Sequence, residues 1–397
     1  MPCDTAGERN ALLDMRSPNR NLAAVVLCYD QAASFTPVLR SGTVFGNMDR
    51  VTSKNIVRLL KAHHPFVVKN IRQHIRNWYT IKVKRSNIVP PYSAVLYVSH
   101  HCNLACTYCT QKTPDVVSEE LSTEQTIELM RIIRKETDYL LLTGGEPLLR
   151  PDIVELVRAA RRDLKFQSVM VITNGTHLRE REEILDYLTS LVVSLDALTV
   201  NRMAPRSKPY VVEKVIDNLL YCRSKGKPPK SSITISTVIM EENLDEVEKV
   251  LQFCVENGFV FSGQTALNNR LPNRNLLESE RYRALVEKII DYRKRGLPIN
   301  GTPKLLRTML EFKPFNCYPT MFPRVYPNGD VFYPCEPLKT IGGNLFRERS
   351  FKKIFERGRR LYGDIPFCQG VCYLFGNVMT HFYVEEFWSF AGDSVRY

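Results

Sequence analysis

The sequence predicts an α/β protein built on a partial (β/α)6 barrel, with an N-terminal basic helical segment before it and a small C-terminal cysteine-bearing domain after it. Three observations lead there. Six apolar runs of β type recur from about Ser93 onward, helical periodicity fills the stretches between them, and the runs are almost continuously apolar, as expected of strands covered by helices. Strands that alternate with helices imply a parallel sheet, and right-handed crossovers curl six such units into an open barrel.

Residues 1–90 precede the barrel. A weakly patterned stretch runs to Met48, and a basic region follows in which Pro65 starts or breaks a helix with Val67, Ile71, Ile75 and Trp78 on one face. The chain carries 55 Lys and Arg against 42 Asp and Glu, a net charge of +13. From Arg50 to Pro114 there are eleven basic residues and no acidic one, so most of the excess lies in this segment.

Residues 91–267 supply the barrel. Its strands are AVLYVS, YLLLT, SVMVIT, SLVVSL, SITISTVI and FVFSGQT, with helices near 123–135, 151–162, 179–189, 210–224 and 243–257. Ser122 followed by Gln125 reads as a capping box opening the first of these. Ligands of such barrels sit at the carboxyl ends of the strands. Residues 268–397 begin with a polar break, GQTALNNRLPNRN, and a helix over about 278–295. A Pro-, Gly- and aromatic-rich region follows, carrying Cys317, Cys335, Cys368 and Cys372, and reads as a separate small domain.

A chain of 397 residues, 44% hydrophobic, can bury at least one large core. The N-terminus opens on acidic and polar residues and its apolar stretch, Leu22 to Tyr29, is too short for a membrane span, so the sequence predicts a cytosolic protein. Thiols there stay reduced, which turns eleven cysteines toward metal or redox chemistry. Seven of them form two sets. Cys3 and Cys28 stand apart with no assigned role, as do Cys222 and Cys254, which fall on predicted helices where cysteine packs as a small hydrophobe.

The first set lies in HHCNLACTYC, where Cys102, Cys106 and Cys109 make a C-x3-C-x2-C run on the loop after the first strand. Three thiolates can hold three irons of a 4Fe–4S cube and leave the fourth open to a ligand, where an electron-transfer cube takes four. A zinc knuckle completed by His100 or His101 is the other reading. The run, with Tyr108 before its last cysteine, resembles the hallmark of the radical S-adenosylmethionine (SAM) superfamily. LLLTGGEPLLRPDI after the second strand strengthens the resemblance, because Thr143, Gly144, Gly145, Glu146 and Pro147 match the glycine-rich loop of that family.

The resemblance covers about residues 93–265 and implies a 4Fe–4S cluster that splits SAM into a 5′-deoxyadenosyl radical, with an external one-electron reductant such as flavodoxin or ferredoxin. It implies that Gly144 and Gly145 bring backbone close to SAM and that Glu146 faces its ammonium group. It also places Tyr108, Asn174, Ser194 and Arg206 on SAM. Without the family, GGEP is a tight turn and Asn174-Gly175 a favoured turn pair. Asp196 reads as a ribose contact, a substrate-binding carboxylate or a helix N-cap and is given no site role. No side chain is assigned as catalytic.

The second set lies in YPNGDVFYPCEP and FCQGVCYLF. It resembles the SPASM or twitch domains that carry auxiliary clusters in many radical SAM enzymes. The spacing from Gly329 to Cys335 is one residue longer than usual there, and the cysteines of a second auxiliary cluster are absent. Four thiolates suit one further 4Fe–4S cluster, and zinc fits the same ligand number.

For the substrate the basic segment gives the leading expectation. Lys69, Arg72 and Arg76 beside Ile71, Ile75 and Trp78 suit the surface of an anionic membrane, and with it a lipid or isoprenoid, or else a helix packed on the protein with solvated charges. Nucleic acid or a phosphorylated small molecule is a further reading of the charge. A peptide-modifying maturase that makes thioether or carbon–carbon links and an enzyme of small-molecule or cofactor biosynthesis are the enzymatic alternatives. An iron–sulfur electron-transfer protein is the non-enzymatic one.

Overall fold

The six apolar runs form strands β1 (Ala94–Tyr97), β2 (Tyr139–Thr143), β3 (Ser168–Thr173), β4 (Ser190–Ser194), β5 (Ser232–Ile239) and β6 (Val260–Thr265). Each pairs in parallel with the next, so chain order is also spatial order. This computed structural model describes residues 71–109, 120–199, 209–226, 232–268, 271–365 and 372–387, all within one compact unit, Pro65–Tyr397. Arg206, Cys368, Cys3, Cys28, Val67 and Lys69 lie outside the described residues.

Burial along the central strands alternates, although their sequences read as continuous apolar runs. Leu140, Leu142, Val169, Val171, Leu191 and Val193 are buried among helix residues such as Leu129, Ile133, Leu156 and Val215. Their strand neighbours, on the opposite face by the two-residue period, are half-buried and line the inner face of the partial barrel.

Helix α1 occupies 71–82 of the described chain. The barrel helices are α2 (Thr123–Arg134), α3 (Ile153–Arg158), α4 (Pro209–Ser224) and α5 (Leu244–Asn257). The capping box at Ser122 and Gln125 forms in full, and Gly258 ends α5 in the left-handed conformation that favours glycine. Two expected helices are irregular. The helix of 151–162 passes into a π turn at Ala159–Asp163, and 179–189 is 3-10 helix over Arg179–Asp186, kinked at Arg181. In the latter only Ile184 and Leu185 are buried, too little to anchor a regular helix. Cys222 and Cys254 pack as small hydrophobes, and burial pushes the Cys254 thiol far up.

The C-terminal region is joined to the barrel through the sheet. The polar break folds as a ribbon of β7 (Leu267–Asn268) and β8 (Leu271–Pro272). Strand β9 (Arg324–Val325) then lies parallel to β1, and β10 (Asp330–Phe332) and β11 (Ile341–Asn344) extend the sheet antiparallel to nine strands. Helices α6 (Glu280–Lys294), α7 (Pro303–Leu310), α8 (Leu345–Glu348), α9 (Phe351–Tyr362) and α10 (Phe375–Glu385) complete it.

The apolar side of α1 is covered by the chain itself. Ile71 and Ile81 pack on a cluster containing Val89, Met321, Phe322, Tyr383 and Phe387, and Lys82 pairs with Glu385 at 2.7 Å. This packing covers Ile71 and Ile81 of the helix, while Arg72 and Arg76 are left exposed. Among the described residues no helix is long and apolar enough to cross a membrane.

His74 lies in the same seam, stacked on Phe387 at 3.8 Å and donating from Nδ1 to the Tyr383 carbonyl at 3.0 Å. Burial holds its pKa down at about 4 from 6.5. The unfolded chain therefore binds a proton between those values that the folded chain does not, so stability falls as the pH drops through that window, by roughly 3 kcal/mol in all. In urea melts at pH 7 and pH 4.5, wild type should lose more stability than His74→Phe; equal losses would rule this account out.

A second test concerns Gly358 in α9, where an added Cβ would lie 2.4 Å from Cγ of Tyr333. Glycine to alanine in a helix interior ordinarily gains up to about 1 kcal/mol. Here the overpacking should dominate, and Gly358→Ala should cost roughly 1–3 kcal/mol, read as a lower urea midpoint.

Candidate active site

The parallel ladder between β1 and β2 does not stop where the strands end. The Val98 amide donates to Thr143 O at 2.8 Å, Gly145 N–H to Ser99 O at 2.8 Å and Glu146 N–H to His101 O at 2.7 Å. The glycine loop and the cysteine loop are thus laid against each other backbone to backbone. A Cβ on Gly144, whose φ is +149°, would meet Ser99 O at 2.3 Å, and one on Gly145 would meet His101 O at 2.2 Å. The close approach these glycines permit is made to the cysteine loop.

On that loop Cys102 is exposed, Cys109 half-buried and Cys106 buried, and Cys109 N–H returns to Cys106 O at 3.3 Å. The Leu104 amide donates to Cys102 Sγ at 3.4 Å. Burial raises the pKa of the Cys102 thiol, the Leu104 amide opposes this, and the charges of Glu146, Cys106 and Cys109 add to the rise. The three thiols therefore share one electrostatic neighbourhood.

Glu146 is 1% exposed, and its carboxylate accepts from Leu148 N at 2.9 Å, Thr173 Oγ1 at 2.6 Å and Asn174 N at 2.6 Å. Burial raises its pKa while these donors pull it down. The carboxylate expected to face SAM is thus engaged in tying the β2 loop to the β3 loop. Asn174, 6% exposed, donates from Nδ2 to Asn103 Oδ1 at 2.8 Å, beside Cys102 Sγ at 4.0 Å. Thr176 closes this group through Asn174 Oδ1 and Asn103 Nδ2. Ser194 ends β4, half-buried and on the inner face.

Asp196, Glu120 and Arg150, to which the sequence assigned no role, complete the frame. The Tyr108 hydroxyl donates to Oδ2 of Asp196, which is 1% exposed and accepts through Oδ1 from Val238 N at 2.8 Å, linking the cysteine loop to the ends of β4 and β5. Glu120 accepts from Ser99 Oγ at 2.9 Å and His100 N at 2.6 Å. Arg150 donates to Val98 O at 2.7 Å and Leu121 O at 2.9 Å while paired with Asp152.

Of the second set, Cys335 is half-buried, as is Cys317, while Cys372 is buried. Cys317 sits between Asn316 and Tyr318, whose amides are both bonded to α10, at His381 Nδ1 (3.3 Å) and Thr380 Oγ1 (3.0 Å). Cys335 and Cys372 both lie within electrostatic reach of the Arg324 guanidinium. Among the described residues no three His, Cys, Asp or Glu side chains converge as ligands of a single ion would. Cysteines on a 4Fe–4S cube each bind a different iron, and neighbouring thiols supplied with N–H donors, as at Cys102, fit that group.

A barrel with a three-thiol loop and a glycine loop at its strand ends defines a class of enzyme built to hold an open cluster and a ligand on it. Residues 96–254 match the sequence profile of the Radical SAM superfamily. These residues form a radical SAM domain, of a kind that uses a 4Fe–4S cluster, SAM and an external electron donor. The GTP 3′,8-cyclase of Listeria monocytogenes is 30% identical over 163 residues, 39% of this chain and 48% of that protein. The sporulation killing factor maturation protein SkfB of Bacillus subtilis is 30% identical over 181 residues, 44% and 43% of the two chains. This chain spans about half the length of these curated relatives. Streptococcus suis SuiB bound to its precursor peptide SuiA is similar in fold, with a TM-score of 0.54 and 19% identity over 87% of this chain and 78% of that one. The peptide-bound anSMEcpe structure has a TM-score of 0.52 and 16% identity over 77% and 99%. The lipid or isoprenoid expected from the basic segment finds no support in these relatives, and neither does a nucleic-acid partner.

Because the atoms nearest a Cβ at residue 145 would be backbone atoms of His100 and His101, Gly145→Ala should displace the cysteine loop while sparing the barrel core. After anaerobic reconstitution it should hold several-fold less iron than wild type with an unchanged far-UV CD spectrum. Full iron content would show that the two loops tolerate separation.

Proposed function

We propose that this chain is a peptide-modifying radical SAM enzyme. In this reading Cys102, Cys106 and Cys109 hold the SAM-binding cluster, and Tyr108, Gly144, Gly145, Asn174 and Ser194 bound the SAM site, with Glu146 bracing it and Arg206 joining it from outside the described residues. Residues 91–267 form the radical-generating unit and 1–90 an N-terminal extension. Residues 268–397 carry one auxiliary 4Fe–4S cluster on Cys317, Cys335, Cys368 and Cys372. When bound, the first cluster and SAM supply a 5′-deoxyadenosyl radical that removes hydrogen from the substrate; the barrel's part is to exclude water and position the target C–H.

The observation that carries the peptide reading is the extent of the likeness to SuiB, whose structure includes a precursor peptide: it runs over 87% of this chain, well beyond the barrel. The peptide bound to anSMEcpe and the maturation role in SkfB's name support the same class. The match to GTP 3′,8-cyclase covers 39% of the chain and favours a small-molecule substrate as the second reading.

The reconstituted, reduced protein should convert SAM to 5′-deoxyadenosine and methionine, and Cys106→Ala should abolish this. Incubation with short peptides encoded beside its gene should then give a peptide product lighter by hydrogen, seen by mass spectrometry. Absence of 5′-deoxyadenosine would sink the radical assignment. Turnover with nucleotides and with no such peptide would replace the peptide reading by the small-molecule one.

A further inference from the structure

Cys372 lies just ahead of α10, and Asn377, in the first turn of that helix and 1% exposed, places Nδ2 at 3.0 Å from Cys372 Sγ. The orientation of this amide is decided by its other side. Its Oδ1 accepts from Arg324 Nη2 at 3.2 Å, and a guanidinium offers only donors, so the oxygen must face Arg324 and the NH2 must face sulfur. Arg324 itself sits on β9, paired across to Val95 of β1, with its side chain 10% exposed.

The counter-charge of Arg324 is incomplete. Glu336 stands 3.8 Å from its Nε, and that carboxylate also accepts from Lys339 Nζ at 2.9 Å and from the Tyr97 hydroxyl at 3.4 Å. Arg324 Nη1 is buried with no hydrogen-bond partner. A buried donor left so is costly, and a negative charge nearby offsets that cost. Burial disfavours this cation, and the charges of Tyr97, Glu336, Cys335 and Cys372, in that order, favour it.

We propose that Arg324 and Asn377 are positioning residues that raise the reduction potential of an auxiliary cluster bound through Cys372 and Cys335, by an N–H···S hydrogen bond backed by a buried positive charge. The inference rests on the auxiliary-cluster reading above. Reduction adds negative charge to a cluster, and hydrogen bonds to its sulfurs together with a nearby cation stabilise that form more than the oxidised one. The cluster is thereby biased toward accepting an electron.

The full-length chain with Cys102, Cys106 and Cys109 all replaced by alanine isolates the second site. It should retain about four irons and the EPR signal of a reduced 4Fe–4S cluster. Zinc or no iron would overturn the auxiliary reading, and this inference with it. On that background Arg324→Gln and Asn377→Leu should each lower the reduced-to-oxidised ratio at a fixed poise by about tenfold, a shift of ~59 mV for a one-electron couple, and Arg324→Lys should recover part of it. Unchanged midpoints with four irons retained would overturn the inference alone. Should Asn377→Leu fail to hold iron, Arg324→Gln, which leaves Cys372 and its amide partner in place, decides the matter.

Discussion

The feature on which the rest depends is the continuation of the β1–β2 ladder into the two loops beyond it. Parallel strands fix the register of their ends, and here Tyr97 stands opposite Thr143. The amides of Val98, Gly145 and Glu146 carry the contact between the two chains beyond the strands. No residue with a Cβ fits at 144 or 145 while this lasts. The cysteine loop is therefore positioned by the sheet, and the glycines serve first to let two backbones meet.

From there the bracing passes from strand end to strand end. Glu146 hands the β2 loop to β3 through the Asn174 amide, Asn174 returns to the cysteine loop through Asn103, and Tyr108 reaches β4 and β5 through Asp196. Burying the Glu146 and Asp196 carboxylates is costly unless donors meet them, and each has found its donors at the mouth of the barrel. The result is a loop of three thiols tied to the ends of five neighbouring strands, which is the preorganisation that an exposed metal-binding loop otherwise lacks.

The sequence made the six barrel strands legible because each is an apolar run with a helix on either side, and the capping box at Ser122 was legible because it is local. The cysteine and glycine loops could be read from spacing. Strands β9 to β11 could not, since they are two to four residues long and owe their place to β1. Asp196 and Asn103 escaped for a related reason: their partners lie 88 and 71 residues away, and nothing local to either marks it as a brace. The amphipathic pattern of α1 read as a helix with two candidate surfaces, because such a pattern marks an apolar face without saying what covers it; Ile71 and Ile81 pack on the protein.

The C-terminal thiols gain meaning from the same sheet. β1 carries the cysteine loop at its end and Arg324 at its side, through the pairing of Val95 with Arg324. Tyr97, on the inner face of β1, reaches Glu336 next to Cys335, and Tyr326 stands between Tyr97 and His100 with ring centroids 6.1 and 5.6 Å away. One short strand thus positions the cysteine loop and the neighbourhood of Cys335 through backbone pairing and buried aromatic contacts. A separation set by strand pairing does not vary as one set by a flexible linker would.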